Sequence, residues 1–294
     1  MSHAEALPVM EMLDTTPVPG REMIEEHSSV PLKFFKIDHH PFSDNVNPQF
    51  FYRTEAHEAA FMAMKRCIED DVSLGLTTAV SGTGKTLLTQ VLLQELPVGR
   101  YKPALILIYP KMSRTALLRE ICSELGVEIL AKRPTTYDLV SAVQQKTMDL
   151  YLRSIKLVLI IDEVHFLNAE NLQVLRTLSN IEIPEKKLVT ILLFGEESFL
   201  TKLGDPVFKS ILSRMFTRVR LRPLERSEVE QYVKYRLLLV NCRTNLFEPE
   251  CYNWLAEASG GIPREINRLC HGAMQRAAER GCRSISKEVL AQVH

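Results

Sequence analysis

The sequence predicts an α/β chain: a parallel sheet covered by helices on both faces, followed by a smaller all-helical unit. Three observations carry that prediction. Apolar runs of strand length alternate with helix-forming runs between residues 55 and 221. The first run passes into the glycine-bearing turn Ser81-Gly82-Thr83-Gly84-Lys85-Thr86 and then into a helix-forming stretch. From Glu225 onward the apolar residues keep helical spacing and no strand-like run returns.

Taken in order, residues 1–33 set Pro8, Pro17, Pro19, Gly20 and Pro31 among acids and read as a flexible arm. Ala59, Ala60, Phe61, Met64, Cys67 and Ile68 recur at helical spacing and predict a helix from about Glu55 to Asp71. Leu74 to Val80 is the first strand, with a helix over Leu87 to Leu96 after the turn. Ala104 to Tyr109 is the second strand, followed by helices over Thr115 to Leu125 and Tyr137 to Leu152. Leu157 to Ile161, Val189 to Phe194 and a short Val219 to Leu221 complete the sheet. Helices are expected over Ser227 to Leu239, Pro249 to Ala258, Pro263 to Arg280 and Lys287 to Val293, with the boundary near Pro223. The resulting division is an arm (1–33), an α/β core (34–224) and a helical lid (225–294).

The turn after the first strand carries the chemistry. Gly82 and Gly84 let backbone N–H groups converge on phosphate oxygens, where a Cβ would block the approach. Lys85 would reach the β and γ phosphates, and Thr86 would offer its hydroxyl to Mg²⁺. Ser81 through Leu87 is therefore the expected nucleotide cradle. The pattern ordinarily opens with Gly, and here Ala79 stands there. A second element follows about 75 residues later: Leu157-Val158-Leu159-Ile160-Ile161 ends in Asp162-Glu163. A buried parallel strand presents its C-terminal residues where α/β sheets bind ligands. Asp162 is expected to hold Mg²⁺ through water, and Glu163 to polarise the water that attacks the γ-phosphate.

Cys67, Cys122, Cys242, Cys251, Cys270 and Cys282 show no CxxC or Cys/His ligand spacing, so they read as reduced, packed thiols. The first 33 residues lack the continuous apolar core of a signal peptide, and no apolar run is long enough to span a bilayer. A cytoplasmic protein without direct membrane insertion is expected. Formal net charge is zero but unevenly spread: residues 1–70 hold 6 Lys/Arg against 12 Asp/Glu, and residues 209–287 hold 15 against 8. Solvated helix faces and arginines serving the nucleotide account for this; head-to-tail assembly or nucleic acid is the sharper alternative.

Gly82-Thr83-Gly84-Lys85-Thr86, Ile160-Ile161-Asp162-Glu163-Val164-His165, Ser213-Arg214-Met215, Leu221-Arg222-Pro223-Leu224 and Gly261-Ile262-Pro263-Arg264 together resemble an AAA+ ATPase with its helical lid. Within that superfamily the chain resembles the ExeA (GspA-type, MshM-like) secretion and pilus ATPases and the related TniB and TnsC transposition ATPases. Phe34-Phe35-Lys36-Ile37 to Pro41-Phe42-Ser43, Tyr109-Pro110-Lys111-Met112-Ser113 and Leu192-Leu193-Phe194-Gly195-Glu196 match that group, and the likeness covers roughly residues 34 to 293.

The resemblance implies ATP and Mg²⁺ as ligands and homo-oligomeric action. It implies that Arg264 contacts the γ-phosphate from the lid, and that Arg214 is the arginine finger given to a neighbouring subunit, with Arg218 and Arg220 as rivals. Glu196 stands where the group often carries Gln, which puts a phosphate-sensing role in doubt. Pro41-Phe42 is weighed as an adenine cover and as packing, His165 as part of a helix start, and Trp254 as lid core. ExeA proper carries a membrane span and a peptidoglycan-binding domain after the ATPase module, and the sequence reads as the ATPase module alone. Three functions stay open. The first is an oligomeric switch or remodeller whose client belongs to a secretion or pilus-type machine. The second is a transposition regulator that binds double-stranded DNA, with Lys111 and Arg114 as phosphate contacts, and recruits a transposase. The third is an ATP-gated scaffold that does not hydrolyse.

Overall fold

The computed structural model describes residues 30–129, 131–242 and 245–293. Its main sheet has five parallel strands: β1 (Leu74–Ala79), β2 (Tyr101–Leu107), β3 (Lys156–Asp162), β6 (Val189–Glu196) and β7 (Met215–Leu221), in the spatial order β2-β3-β6-β1-β7. A two-stranded antiparallel ribbon, β4 (Glu182–Ile183) with β5 (Lys186–Lys187), stands apart. Register sets Ala79 beside Glu196 and Leu107 beside Asp162. The ends of β1, β6 and β3 therefore lie side by side along one edge of the sheet.

Alternation along β3 shows why Leu157 to Ile161 are apolar without a break. Leu157, Leu159 and Ile161 pack into one core, with Leu117, Leu118 and Ile121 of α3 (Arg114–Glu124), Leu139 and Val143 of α4 (Thr136–Leu152) and Leu172 and Leu175 of α5 (Ala169–Leu178). Val158 and Ile160 face a second core with Phe61, Met64 and Ile68 of α1 (Glu55–Glu69) and Leu88 and Leu92 of α2 (Lys85–Glu95). Between Lys156, bonded to Asp71 and the Ile68 carbonyl, and Asp162 at the ligand edge, both faces of the strand are buried and every residue is apolar. β7 differs because it is an edge strand: Phe216, Arg218 and Arg220 are exposed while Met215 and Leu221 are buried. Its pattern hides the strand, which starts at Met215 rather than at the expected Val219. Pro103 sits inside β2, the other edge strand, where its missing N–H is tolerated.

Four elements, with the ribbon taken as one, were not expected from the sequence. α5 begins at the Asn168 cap, whose side chain accepts from the Asn171 N–H. The ribbon β4–β5 and the short helices α6 (Ser198–Leu203) and α7 (Lys209–Leu212) are the others. The arm expected over 1–33 lies outside the described residues except for 30–33, which are helical.

Beyond Leu221 the chain forms α8 (Arg226–Leu239), α9 (Pro249–Ser259), α10 (Pro263–Glu279) and α11 (Lys287–Ala291) around a third core. Trp254 is partly buried against it, and five of the six cysteines are buried, with none in a disulfide. Ile37 and Phe42, from the start of the described chain, are buried in this helical core. Arg236 of α8 donates from Nε to the Pro41 carbonyl (2.5 Å) and from Nη2 to that of Ser43 (3.2 Å), with its guanidinium 4.4 Å from the Phe50 ring centroid. Phe51 returns to the sheet side, packed with α1 and α2. The segment thus crosses from one body to the other. None of the described helices is long and apolar enough to cross a membrane.

His40 stacks on His271 of α10 with ring centroids 3.9 Å apart, and its Nε2 is buried without a hydrogen-bond partner. Burial, then His271 and Arg236, lower its pKa from 6.5 to about 4. The fold accommodates the neutral ring, so this site's stability is complete above pH 6.5. It declines as pH falls toward 4, because the unfolded chain takes the proton first. With its partial exposure allowed for, the loss should be about 2 kcal/mol. Urea midpoints measured from pH 7 to pH 4 should fall more steeply for the wild type than for His40→Phe; parallel curves would remove His40 from this role.

Candidate functional site

The phosphate loop adopts the conformation its glycines allow, with φ of +81° at Gly82 and +101° at Gly84. A Cβ on Gly82 would lie 2.9 Å from both Arg264 Cβ and Ile262 Cγ2, so the lid turn rests directly on the loop. The Arg264 N–H donates to the Gly82 carbonyl at 3.2 Å. Inside the loop, Thr83 Oγ1 donates to the Val80 carbonyl at 2.7 Å. Ala79 ends β1 wholly buried, packed in the core shared with Phe194 and Leu221, and its carbonyl lies 3.4 Å from Lys85 Nζ. The residue that departs from the usual Gly therefore turns its methyl into the protein.

Lys85 opens α2 and is buried, its Nζ also 3.4 Å from the Val80 carbonyl. Burial holds its pKa below the ordinary lysine value; Glu163, Glu196 and Asp162 pull it back up, and Arg264 adds to the lowering. Three carboxylates and a second cation thus act through space on one ammonium.

Asp162 ends β3 and is buried, with burial raising its pKa above the usual carboxylate range. Its Oδ1 accepts from the Glu163 N–H (2.8 Å) and its Oδ2 from Thr86 Oγ1 (3.2 Å). The two residues expected to share Mg²⁺ are therefore in contact. A buried carboxylate beside a hydroxyl suits a hard divalent cation. No group of three or more His, Cys, Asp or Glu among the described residues could hold a metal, so such an ion would take its other ligands from phosphate and water.

Glu163 has φ of +58°, in the left-handed region, between β3 and a single 3₁₀ turn over Val164–Phe166. Non-glycine residues there cost energy, and such positions gather at functional sites. His165 falls in that turn, as expected of a helix start, with Nδ1 3.3 Å from Glu163 Oε2 in a geometry that makes no hydrogen bond. A Cβ on Gly195 would lie 2.6 Å from Val164 Cγ2, so glycine there lets the end of β6 approach this turn.

Ser81, Gly82, Gly84, Lys85, Thr86, Leu87, Glu163 and Arg264 line one cavity between the loop and the lid. Its remaining walls are Ser43 to Val46, Tyr232, Arg236, Pro263 and Asn267. Phe42 is packed in the helical core and does not line it, so the packing alternative for Pro41-Phe42 describes what is seen. Arg264 is exposed, its Nε 3.6 Å from Asp44 Oδ1, a solvated pair of little energetic weight.

Arg214 is not among the cavity residues. It precedes β7, at the sheet edge opposite the loop, and donates from Nη1 to Asn180 Oδ1. Arg218 donates to the Leu212 carbonyl (3.0 Å), and Arg220 grips Glu197 through two bonds of 2.7 and 2.8 Å. Glu197 is thus engaged with the edge strand, whereas Glu196 ends β6 opposite Ala79 and raises the Lys85 pKa through space. A wider concavity at the other end of the sheet, lined by Tyr151, Leu152, Lys156 and Lys186 to Leu188, lacks a glycine loop. Its Lys156 is committed to Asp71 (2.7 Å) and the Ile68 carbonyl (2.6 Å).

Sequence reasoning missed Asp44, Asn45, Tyr232, Arg236 and Asn267 as cavity residues. No spacing rule reaches them, because they come from the opening segment and two lid helices. The Leu221–Leu224 and Gly261–Arg264 motifs, by contrast, meet directly: the Leu224 N–H donates to the Gly261 carbonyl at 2.8 Å. Gly261 has φ of +72°, and a Cβ there would lie 2.1 Å from the Leu224 carbonyl oxygen. Gly261→Ala should cost about 3 kcal/mol through the clash and the positive φ. Thermal melting tests this, and an unchanged midpoint would contradict it.

Comparison with known proteins fits this geometry. A family model described as AAA domain matches residues 69–203. General secretion pathway protein A of Aeromonas hydrophila is 32% identical over 255 residues, 86% of this chain and 46% of that protein. The chain therefore spans about half the length of that curated relative. The ORC2 protein of Aeropyrum pernix, solved in ADPNP and ADP complexes, superposes with a TM-score of 0.65 at 16% identity, over 87% of this chain and 71% of that one. The ORC1 protein of Aeropyrum pernix, solved with DNA, gives 0.65 at 16%, over 90% and 68%. At such identities these likenesses speak to the fold.

Proposed function

From the premise that this chain is an AAA+ protein resembling the ExeA/GspA secretion ATPases, we propose that it binds and hydrolyses Mg-ATP as an oligomeric switch or remodeller. Its client would be a protein component of a secretion or pilus-type machine. The observation that carries this reading is the convergence in one cavity of the Ser81–Leu87 loop, Glu163 and the lid residue Arg264, with Asp162 bonded to Thr86 at the cavity floor.

Each residue has a distinct task. The loop amides and Lys85 bind the phosphates. Thr86 and Asp162 would hold Mg²⁺, which supplies charge neutralisation on the transferred phosphoryl group. Glu163 orients and polarises the attacking water. Arg264 reads the phosphate charge from the lid. Arg214, which lies outside the cavity at the far edge of the sheet, would serve a neighbouring subunit; the ORC2 complexes with ADPNP and ADP support nucleotide as the ligand.

Steady-state ATP hydrolysis measured against protein concentration, with and without double-stranded DNA, tests the reading. Specific activity that rises with concentration and ignores DNA supports it. Activity changed by DNA, with salt-sensitive binding, would favour the transposition alternative instead. ATP binding with no turnover at any concentration would leave the scaffold.

A further inference from the structure

The phosphate loop can present its amides inward only if its carbonyls point outward, and each buried carbonyl then needs a donor. Thr83, between the two positive-φ glycines, is wholly buried, and its carbonyl is met by a side chain from outside the loop. His57, in the first turn of α1, places Nε2 3.1 Å from the Thr83 oxygen. Its Nδ1 lies 2.7 Å from Thr54 Oγ1, and that hydroxyl in turn accepts from the His57 N–H at 3.2 Å.

These contacts fix the ring completely. The Thr83 carbonyl can only accept, so Nε2 carries the proton, and Nδ1 is left to accept from the threonine hydroxyl. The ring is buried, and burial depresses its pKa despite the Thr83 bond and Glu228. Phe51 presents itself edge-on at 5.3 Å between centroids, and a Cβ on Gly84 would lie 3.3 Å from Nε2. The ring is thus wedged between the helix cap and the middle of the loop.

We propose that His57 is a positioning residue for nucleotide binding: its Nε2–H holds the Thr83 carbonyl outward, so that the amides around Gly84 stay aimed at the phosphates. The inference rests on the ATP-binding reading above and adds to it a residue outside every motif of the site.

Three variants separate a positioning role from packing. His57→Gln can place its amide NH₂ where Nε2 stood; His57→Asn keeps a polar atom near the Nδ1 position but cannot reach Thr83; His57→Phe fills the volume without a donor. The readouts are the dissociation constant for Mg-ATP, KM and kcat, with thermal melting as the check on folding. Loss of one hydrogen bond at an aligned loop should weaken binding about tenfold in the Asn and Phe variants. KM should rise more than kcat falls, and His57→Gln should stay within about threefold of wild type. If His57→Phe fails to fold, the Asn and Gln pair alone decides. Unchanged affinity in His57→Asn, or equal weakening by Asn and Gln, would overturn the inference while ATP binding by the wild type stands. Absence of ATP binding by the wild type would remove the parent reading, and this inference with it.

Discussion

Lys85→Ala is expected to abolish measurable ATP binding, lowering affinity by about 100-fold or more. The ammonium is buried in the field of three carboxylates, Glu163, Glu196 and Asp162, and it is the cation at the foot of the loop. Each charge-assisted hydrogen bond it would give a phosphate contributes about 1.5–3 kcal/mol, and two such bonds account for at least two orders of magnitude. Its removal also leaves the acids uncompensated against an incoming polyanion. Folding should not suffer in proportion, because burial already disfavours the charge, as the lowered pKa indicates. A titration with a fluorescent ATP analogue, paired with thermal melting, reads both effects. Retained affinity would sink the phosphate-loop assignment. A collapsed melting point would make any loss of binding uninformative, and Lys85→Met, which keeps the aliphatic stem, is then the variant to measure.

Glu163→Gln is expected to leave ATP affinity near wild type and to lower kcat by about 100- to 1,000-fold, within the range for loss of a general base. Glutamine matches glutamate in size and can occupy the same left-handed backbone conformation. The change therefore removes a charge without rebuilding the turn. Nucleotide held without turnover should also accumulate the assembled form, visible as a mass increase in light scattering with ATP. Turnover at the wild-type rate would strip Glu163 of its role and direct attention to Glu196, which acts on the Lys85 ammonium through space as Glu163 does.

The fold was legible where one residue type does one job. β3 is apolar because both its faces are buried, and Asp162 breaks the run because it reaches the ligand edge. β7 was read short because an edge strand needs only alternate burial, and Phe216, Arg218 and Arg220 obscure its start. α5 carries its own signals in the Asn168 cap and in Leu172, Leu175 and Leu178 at helical spacing. In the site, Ser81–Leu87, Asp162, Glu163 and Arg264 could be placed together because their motifs encode local backbone geometry. Asp44, Arg236 and His57 could not, because their meaning lies in pairings across the chain. Arg236 meets Pro41 at a separation of 195 residues, and His57 meets Thr83 across 26.

Among the described residues the chain passes between the sheet and the helical bundle twice, once in the segment from Phe42 to Phe51 and again at Leu221 to Leu224. A body tethered at one point can tilt about three axes; one tethered at two can turn freely only about the line that joins them. Two crossings restrict a swing of the bundle more than one would, as a second hinge does for a door. The cavity of the proposed nucleotide site lies against one of those tethers, at Ser43 to Val46, so whatever fills it bears on that tether directly.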